Sequence, residues 1–511
     1  MDFMDKRTLV AIILSLLVLI GSQYLLPKPA PQAPQKTETT PELLKKETAP
    51  PPATLPATEG STEVKDVIVE TDYYIATLTS RGGSIKAFEL KSYRDKKGSD
   101  VSLLKNPEVL PALALGINTD NFGLSQVNFS LEGASLALKN NQRGSIVFSY
   151  SSPQLSIKRT YTFYADQYKF DLRDEVTGIP EYWITLGSDF GIYDATDRTA
   201  PHIGPVLLKD TDRIELSAKK LDEPKSFGGE GIRWIAQEDK YFFAAIAPSG
   251  QVREAKAWKI KNTPVLALKV QSGVNNFLMY AGPKDYDRLQ ALHVSLEHVI
   301  DFGFFSILAR PLFWVLKFFY KFLGNYGWAI VLLTIIVRIP FIPLINKGQK
   351  SMRKMQELQP KLNEIKEKYK KDPQKMQRET MEMYKKYKVN PVGGCLPMIL
   401  QIPVFYALYK VLMISIELRG APFLFWITDL STKDPYYILP IIMGITMVVQ
   451  QKMTPSSLDP TQNKMMMLMP VVFTFLFLNF ASGLVLYWLT NNILSIAQQF
   501  YTNKKISQQN K

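Results

Sequence analysis

The chain has 511 residues, which is too long for one ordinary hydrophobic core and predicts two or more domains. A single cysteine excludes internal disulfides, and three histidines without metal-ligand spacing argue against a zinc site, so we expect no metal and no cofactor. The net charge of +14 could suggest nucleic-acid binding, but much of it lies in one loop beside apolar segments. We therefore expect no DNA partner.

The apolar residues are gathered in blocks, which indicates a membrane protein with a large water-soluble part. The last block is too long for one membrane span, and Ala481-Ser482-Gly483 divides it into two, which gives six spans in total. The blocks cover residues 9–26, 328–345, 399–416, 436–449 and 465–500.

The N-terminal region is predicted to be a membrane anchor followed by a tether. Lys6 and Arg7 precede the apolar block, a layout shared by signal peptides and anchors. The block is long enough to span, and no small-residue cleavage site follows it, so we interpret residues 1–26 as an uncleaved anchor. Residues 27–61 are rich in Pro, Thr, Ala, Glu and Lys and have little to bury, which predicts a disordered linker.

Residues 62–290 show short alternating segments separated by Gly, Asn, Asp and Pro, which predicts one large antiparallel β-sandwich. Gly82 and Gly83 are expected to form a hairpin turn. The clearest strand segments are 66–71, 73–80, 84–90, 145–150, 159–164 and 240–247.

Four titratable residues of this region cluster in sequence, and a solvated loop explains them better than a reactive site. They are Asp189, Asp194, Asp197 and His202. The region shows no convergent set of acid, base and nucleophile, so we do not expect an enzyme.

The segment 302–322 is apolar enough to resemble a span, but it carries basic residues at helical spacing on one face, with Trp314 between them. We interpret residues 298–323 as an amphipathic helix lying along the membrane surface. If this helix crossed the membrane, the basic loop after residue 345 would lie outside, against the positive-inside rule. The basic residues are Arg310, Lys317 and Lys321.

Residues 346–390 are predicted to form a cytoplasmic hairpin of two antiparallel helices, because apolar residues recur at spacings of three and four on both sides of Asp372. Asp372 can cap a helix whose first position is Pro373. The many basic residues either form a solvated coiled-coil face or attract anionic lipid headgroups, ribosomal RNA or an acidic partner. Residues 504–511 are expected to be a cytoplasmic tail.

Arg338 is a full charge in the inner half of the second span. Such a charge costs about 2.5 to 3.5 kcal/mol on insertion scales, so it is normally kept only where protein or water receives it. Thr334 lies four residues earlier on the same helical face. The simpler reading is an arginine near a helix end that snorkels to the headgroups.

Further polar residues fall in the inner halves of other spans, whereas the outer halves are apolar. This distribution predicts a cavity that is open to the cytoplasm and closed outside, and it disfavours a channel, which needs polar lining throughout. Asn491 and Asn492 could instead serve as ordinary hydrogen-bond partners between helices. The residues that complete the predicted cavity with Arg338 are Gln401, Asn491, Asn492 and Ser495.

Several segments closely resemble the YidC membrane-protein insertases, in the Gram-negative form with a large periplasmic domain. The resemblance runs from the N-terminal anchor to Gln499. Its most specific segments are YAGPKDYDRL (280–289), IVRIPFIPL (336–344), VNPVGGCLPMILQIPVFYALY (389–409), ELRGAPFLFWITDLSTKDPYYILPIIMG (417–444), QQKMTP (450–455) and MPVVFTFLFLNFASGLVLYW (469–488).

The resemblance implies a multi-domain fold with a periplasmic β-supersandwich and a five-span insertase core over residues 326–503. It also implies a bacterial inner-membrane protein with both termini in the cytoplasm. Arg338 and Thr334 match the arginine and threonine of the family's substrate groove. An apolar path, along which a substrate leaves for the lipid, is expected at Trp488, Tyr487 and Phe405.

The implied function is to insert and fold nascent inner-membrane proteins, alone or with the Sec translocon. The implied partners are nascent membrane proteins, the ribosome or signal-recognition-particle machinery at the cytoplasmic loops, and phospholipids. The alternatives are a solute transporter or channel, which should be polar through its outer halves, and a membrane-tethered carbohydrate-active enzyme that would need the sandwich for activity.

Overall fold

The computed structural model describes residues 63–95, 97–105, 109–119, 122–197, 199–387, 389, 396–454 and 460–509. The anchor at 1–26 and the linker at 27–61 lie outside the described residues.

Two β-sheets form the N-terminal half of the described chain. One sheet has the strand order β4-β3-β2-β1-β7, and the other follows the path β12-β11-β14-β15-β17-β10-β9-β8-β6, with β13, β16 and β5 attached. The strands are β1 (Asp66–Glu70), β2 (Tyr74–Thr79), β3 (Ser84–Arg94), β4 (Asp100–Ser102), β5 (Leu115–Gly116), β6 (Ser130–Glu132), β7 (Leu136–Ala137), β8 (Arg143–Ser151), β9 (Ser156–Tyr164), β10 (Lys169–Thr185), β11 (Gly204–Lys209), β12 (Asp212–Glu215), β13 (Lys225–Gly228), β14 (Ile232–Glu238), β15 (Phe242–Pro248), β16 (Val252–Ile260) and β17 (Thr263–Pro283).

The predicted sandwich is present, and its strands pair antiparallel with one exception. β1 and β7 are parallel over two residue pairs, Val69 with Leu136 and Glu70 with Ala137, which corrects the expectation of a purely antiparallel domain. Burial alternates along β2 because successive side chains point to opposite faces.

Aromatic side chains join the two sheets. The ring of Phe88 in β3 lies 4.5 Å from Tyr74 in β2 and 6.3 Å from Phe170 in β10. All three side chains are fully buried, so each contributes a large apolar area to one shared core.

The expected hairpin turn at Gly82 and Gly83 connects β2 to β3. Their φ angles are +71° and +55°, a region that favours glycine. A Cβ atom on Gly82 would lie 2.8 Å from the Cα atom of Ser125, so a larger residue would have to displace backbone.

The predicted acidic loop lies between β10 and β11. Asp194 and Asp197 accept hydrogen bonds from the backbone N–H groups two residues later, as turn-forming aspartates do. Asp189 accepts from the backbone N–H of Lys105 at 2.8 Å. His202 departs from the expectation of a solvated loop, because it is buried and its Nε2 lies 3.1 Å from the carbonyl oxygen of Pro205.

Helices form the C-terminal half. They are α1 (Tyr286–Gln290), α2 (Ser306–Leu323), α3 (Tyr326–Arg338), α4 (Ile342–Glu357), α5 (Gln359–Lys368), α6 (Pro373–Lys386), α7 (Leu396–Ile414), α8 (Ile438–Met453), α9 (Pro460–Phe477) and α10 (Ser482–Gln509).

One helical stretch corrects the expected boundary between span and loop. A short 3-10 turn, Ile339–Phe341, links α3 to α4, and α4 passes Asn346 without a break. Tyr326–Glu357 is long and apolar enough to cross a membrane, and the described chain has shorter apolar helices at Ile399–Ile414, Ile438–Met453 and Met466–Phe477. The count of six spans stays a prediction.

Helices α5 and α6 double back on each other. Leu358, Leu362, Met383 and Val389 form a small buried cluster; the first three belong to the apolar seam expected from the three-four spacing, and Val389 was not predicted. Asp372 caps α6, with its side chain accepting from the backbone N–H of Lys375, and Pro373 stands at the first helical position. The cytoplasmic location of this hairpin stays a prediction.

An exposed apolar stripe follows α2 and the turn before it. Its side chains recur at spacings of three, seven, four and four residues, which keeps them on one face, and they are between 47% and 88% exposed. Lys317 on the same helix turns away from this stripe and forms ion pairs with Asp287 and Glu417. The stripe consists of Phe304, Ile307, Trp314, Phe318 and Phe322.

Candidate functional site

Arg338 ends α3 and is only 7% exposed. Its Nη1 donates to the main-chain oxygen of Asn491 at 3.2 Å and to the Oδ1 of the same residue. Its Nη2 donates to the Oε1 of Gln498 at 3.2 Å. These partners are neutral oxygens, so they accept hydrogen bonds from both terminal nitrogens without neutralising the positive charge.

Thr334 lies one turn before Arg338 and is 2% exposed. Its hydroxyl donates to the carbonyl oxygen of Ile330 at 2.7 Å, a bond within the helix that leaves the oxygen free to accept. Thr334 and Arg338 therefore share one face of α3, as their spacing predicts.

A polar face of α10 meets Arg338. Asn491, Ser495, Gln498 and Thr502 recur at spacings of four, three and four, which places them on one side of the helix. Gln498 donates to the Oδ1 of Asn346 at 2.8 Å, and the hydroxyl of Thr502 lies 3.3 Å from the same oxygen. Gln498, Thr502 and Asn346 were not predicted from the sequence as part of the site. For Gln498 and Thr502, the helical spacing from Asn491 and Ser495 could have indicated it.

Asn492 and Gln401 are placed differently. The Nδ2 of Asn492 lies 3.2 Å from the hydroxyl of Thr446 and 3.4 Å from the carbonyl oxygen of Met443, both on α8. Asn492 thus joins two helices, and its described side-chain hydrogen bonds go to α8 and not to Arg338. Gln401 is half-buried on α7.

The aromatic residues expected on the exit path come together where α7, α9 and α10 meet. The ring of Phe405 lies 4.9 Å from Trp488 in an edge-to-face arrangement and 6.2 Å from Tyr487. Trp488 also lies 5.1 Å from Phe477 and 5.9 Å from Phe473. Phe477 and Tyr487 are buried and the other three rings are half-buried, and together they form an aromatic cluster next to the polar face of α10.

The N-terminal parts of α3 and α10 are apolar and closely packed. Ile330 and Leu333 of α3, Leu484 and Val485 of α10, and Leu430 of the loop before α8 belong to one buried cluster. The cluster continues along α10 to Leu489, so the polar side chains of Arg338 and Asn491 begin where this apolar packing ends.

Two family profiles match almost all of the described chain. The profile described as the YidC periplasmic domain matches residues 66–315, and the one described as the 60Kd inner membrane protein matches residues 318–509. The chain belongs to the YidC family of membrane protein insertases. The sandwich lies in the part matched by the periplasmic domain, and Arg338 lies in the part matched by the inner membrane protein.

Relatives within the YidC family align over nearly their whole length. The chain is 43% identical to the membrane protein insertase YidC of Geotalea uraniireducens and 41% identical to that of Geotalea daltonii, in each case over 98% of this chain and 100% of the relative. A solved structure described as an active YidC insertase with its first transmembrane domain resolved is 20% identical over 97% of this chain and 99% of that chain, with a TM-score of 0.40.

Proposed function

We propose that this YidC protein inserts nascent inner-membrane proteins through a groove that is open to the cytoplasm and to lipid and closed on the periplasmic side. The observation that carries the proposal is Arg338, a buried charge whose described hydrogen-bond partners are neutral. The groove runs along the polar faces of α3, α4 and α10.

The groove acts by lowering the cost of bringing polar groups partway into the bilayer. Unpaired backbone groups in hydrocarbon cost several kcal/mol each, because neither water nor protein is there to bond them. The side chains of Asn491, Gln498 and Asn346 supply donors and acceptors over several helical turns. A polar tail of a substrate therefore finds partners there that lipid cannot provide.

The positive charge of Arg338 favours substrates whose polar tail is negatively charged. An acidic side chain in the groove would be attracted to the guanidinium, whose own partners leave its charge uncompensated. The transmembrane potential would then assist an acidic tail in moving outward, by about 2.3 kcal/mol per charge per 100 mV.

Release occurs sideways, past the aromatic cluster of Phe405, Tyr487 and Trp488. The apolar helix of a substrate slides over these rings and then partitions into lipid, and burial of its apolar surface drives the step. No nucleotide is needed for this mechanism.

The proposed topology has six spans with both termini in the cytoplasm. The hairpin α5–α6 then faces the cytoplasm, where its basic surface can meet the ribosome or the signal-recognition-particle machinery, and the Sec translocon is a further partner. The exposed stripe of α2 lies in the outer leaflet and contacts phospholipids. A channel is the weaker alternative, because the outer ends of α3 and α10 are apolar.

Reversal of the charge at the groove tests the proposal. We expect Arg338→Glu to reduce insertion of an acidic-tailed substrate at least tenfold more than insertion of the same substrate with a neutral tail, measured in proteoliposomes. Lys410→Gln is the matched control, since it removes another cation from a membrane helix outside the groove. Equal loss with both tails, or the same tail dependence in the control, would contradict the role of Arg338.

A further inference from the structure

The loop between α7 and α8 holds the outer ends of two helices of the groove. The side chain of Asn325, which caps α3, donates to the carbonyl oxygen of Phe423 at 3.1 Å. The backbone N–H of Gly483, in the first turn of α10, donates to the carbonyl oxygen of Leu430 at 2.9 Å. This outer loop therefore fixes the ends of the helices that carry Arg338 and Asn491.

Arg419 extends from the outer loop onto the β-sandwich. Its Nη2 donates to the carbonyl oxygen of Arg94 at 2.9 Å. Its guanidinium carbon lies between 4.9 and 5.9 Å from the centres of four aromatic rings, which come from β3, from the loop after β10 and from the start of β15. The four rings of this aromatic cage are Tyr93, Tyr193, Tyr241 and Phe242.

An ion pair next to Arg419 adds a third element to the same junction. Lys317 of α2 contacts Asp287 of α1 and lies 3.7 Å from the carboxylate of Glu417 in the outer loop. Glu417 and Arg419 are two residues apart, so a short stretch of the loop contacts both the sandwich and the amphipathic helix.

The cage is better explained as an attachment point than as ordinary surface packing. A guanidinium is attracted to the faces of aromatic rings, and the attraction grows when water is excluded. Another cation of the sandwich, Lys105, lies 4.5 Å over the ring of Tyr193 without leaving its own domain. Arg419 differs because it connects the sandwich to the membrane helices.

We propose that the β-sandwich braces the closed outer end of the groove. Arg419 is the positioning residue: held in the aromatic cage, it fixes the outer loop, and the loop fixes the first turns of α3 and α10. This inference rests on the one-sided groove proposed above, because a brace at the outer end matters only if that end is closed.

Hydrogen exchange of the full-length chain in nanodiscs tests the brace. The amides to follow are those of Leu430 and Gly483, whose bonds lie within the outer loop and between the loop and α10. We expect Arg419→Met, which keeps a long side chain but removes the charge, to speed their exchange about tenfold, the factor for loss of roughly 1.4 kcal/mol of cation–π attraction. Arg419→Lys should restore most of the protection.

Lys105→Met is the matched control, because it removes a cation from the same cage without touching the outer loop. It should leave both amides unchanged. In proteoliposomes, Arg419→Met should also raise the leak of a small entrapped anionic dye, whereas Lys105→Met should not.

Unchanged exchange in Arg419→Met would overturn the brace, and so would equal acceleration by Lys105→Met, which would show general loosening of the sandwich. Faster exchange without added leak would also overturn it, because the outer end would then stay closed without Arg419. Exchange is measured without substrate, so these results do not depend on whether Arg338 selects acidic tails.

Discussion

Two arginines at the two ends of the helical bundle are held in opposite ways. At the proposed inner end, Arg338 donates to the neutral oxygens of Asn491 and Gln498. At the proposed outer end, Arg419 lies among aromatic rings that attract its charge directly. Neutral oxygens orient a guanidinium but leave its charge able to act on another molecule, whereas the aromatic cage uses the charge for attachment. Arg338 is therefore suited to attract a substrate, and Arg419 is suited to hold two parts of the protein together.

The largest expected effect is a pH dependence of the protein's stability that arises at Glu417, next to Arg419. Burial raises the pKa of Glu417 to about 7, against the opposing effect of Lys317, with Asp285 and Asp287 adding repulsion. The folded protein then binds more protons at this site than the unfolded chain does, so its stability falls as pH rises from about 4.5 to 7. The loss is up to about 3 kcal/mol.

Glu417→Gln should remove this part of the pH dependence, which thermal unfolding of the purified protein at pH 4.5 and pH 7.5 would measure. Asp95→Asn, in an exposed turn of the sandwich, serves as the control for loss of a carboxylate. A pH dependence that is the same in Glu417→Gln and in the unaltered protein would contradict burial of this carboxyl group at the junction.

The next effect concerns the inner end. Gln498→Leu removes an acceptor from the Nη2 of Arg338 and a donor to Asn346. A buried polar group left without its partner costs about 1 to 3 kcal/mol, so we expect lower thermal stability together with weaker insertion of acidic-tailed substrates. A variant that loses stability but inserts acidic and neutral tails in the original ratio would show that Gln498 only supports the fold.

The smallest effect separates the groove from ordinary helix packing. Asn492 bonds α8 and not Arg338, so Asn492→Ala should cost about 0.6 kcal/mol, the average for a hydrogen bond between membrane helices. It should leave the ratio of acidic-tail to neutral-tail insertion unchanged. A changed ratio would place Asn492 in the groove, as its sequence position alone suggested.

Local patterns were sufficient to predict most secondary structure. The alternation of β2 and β9, the turn at Gly82 and the cap at Asp372 each depend on a few neighbouring residues, and the structure contains all of them. The parallel pairing of β1 with β7 was missed because β7 has only two residues and no readable period.

Long-range contacts were not predictable in the same way. Lys317 was predicted only as one of three basic residues on one face of an amphipathic helix, and its partners Asp287 and Glu417 become neighbours only when the chain folds. The cage around Arg419 is assembled from residues up to 326 positions away in sequence, such as Tyr93. For Arg338 and Asn491, the sequence predicted only that both lie in the inner halves of their spans, not that they form a hydrogen bond.

Disulfide crosslinking to a stalled nascent membrane protein tests whether substrates pass through the groove and over the aromatic cluster. With Cys395 replaced by serine, a cysteine in the substrate's first membrane helix is paired with Asn491→Cys, with Trp488→Cys, or with Phe475→Cys, whose site is 68% exposed on α9. We expect crosslinks at positions 491 and 488 and few at 475. Crosslinks at neither 491 nor 488, or equal crosslinking at 475, would contradict it.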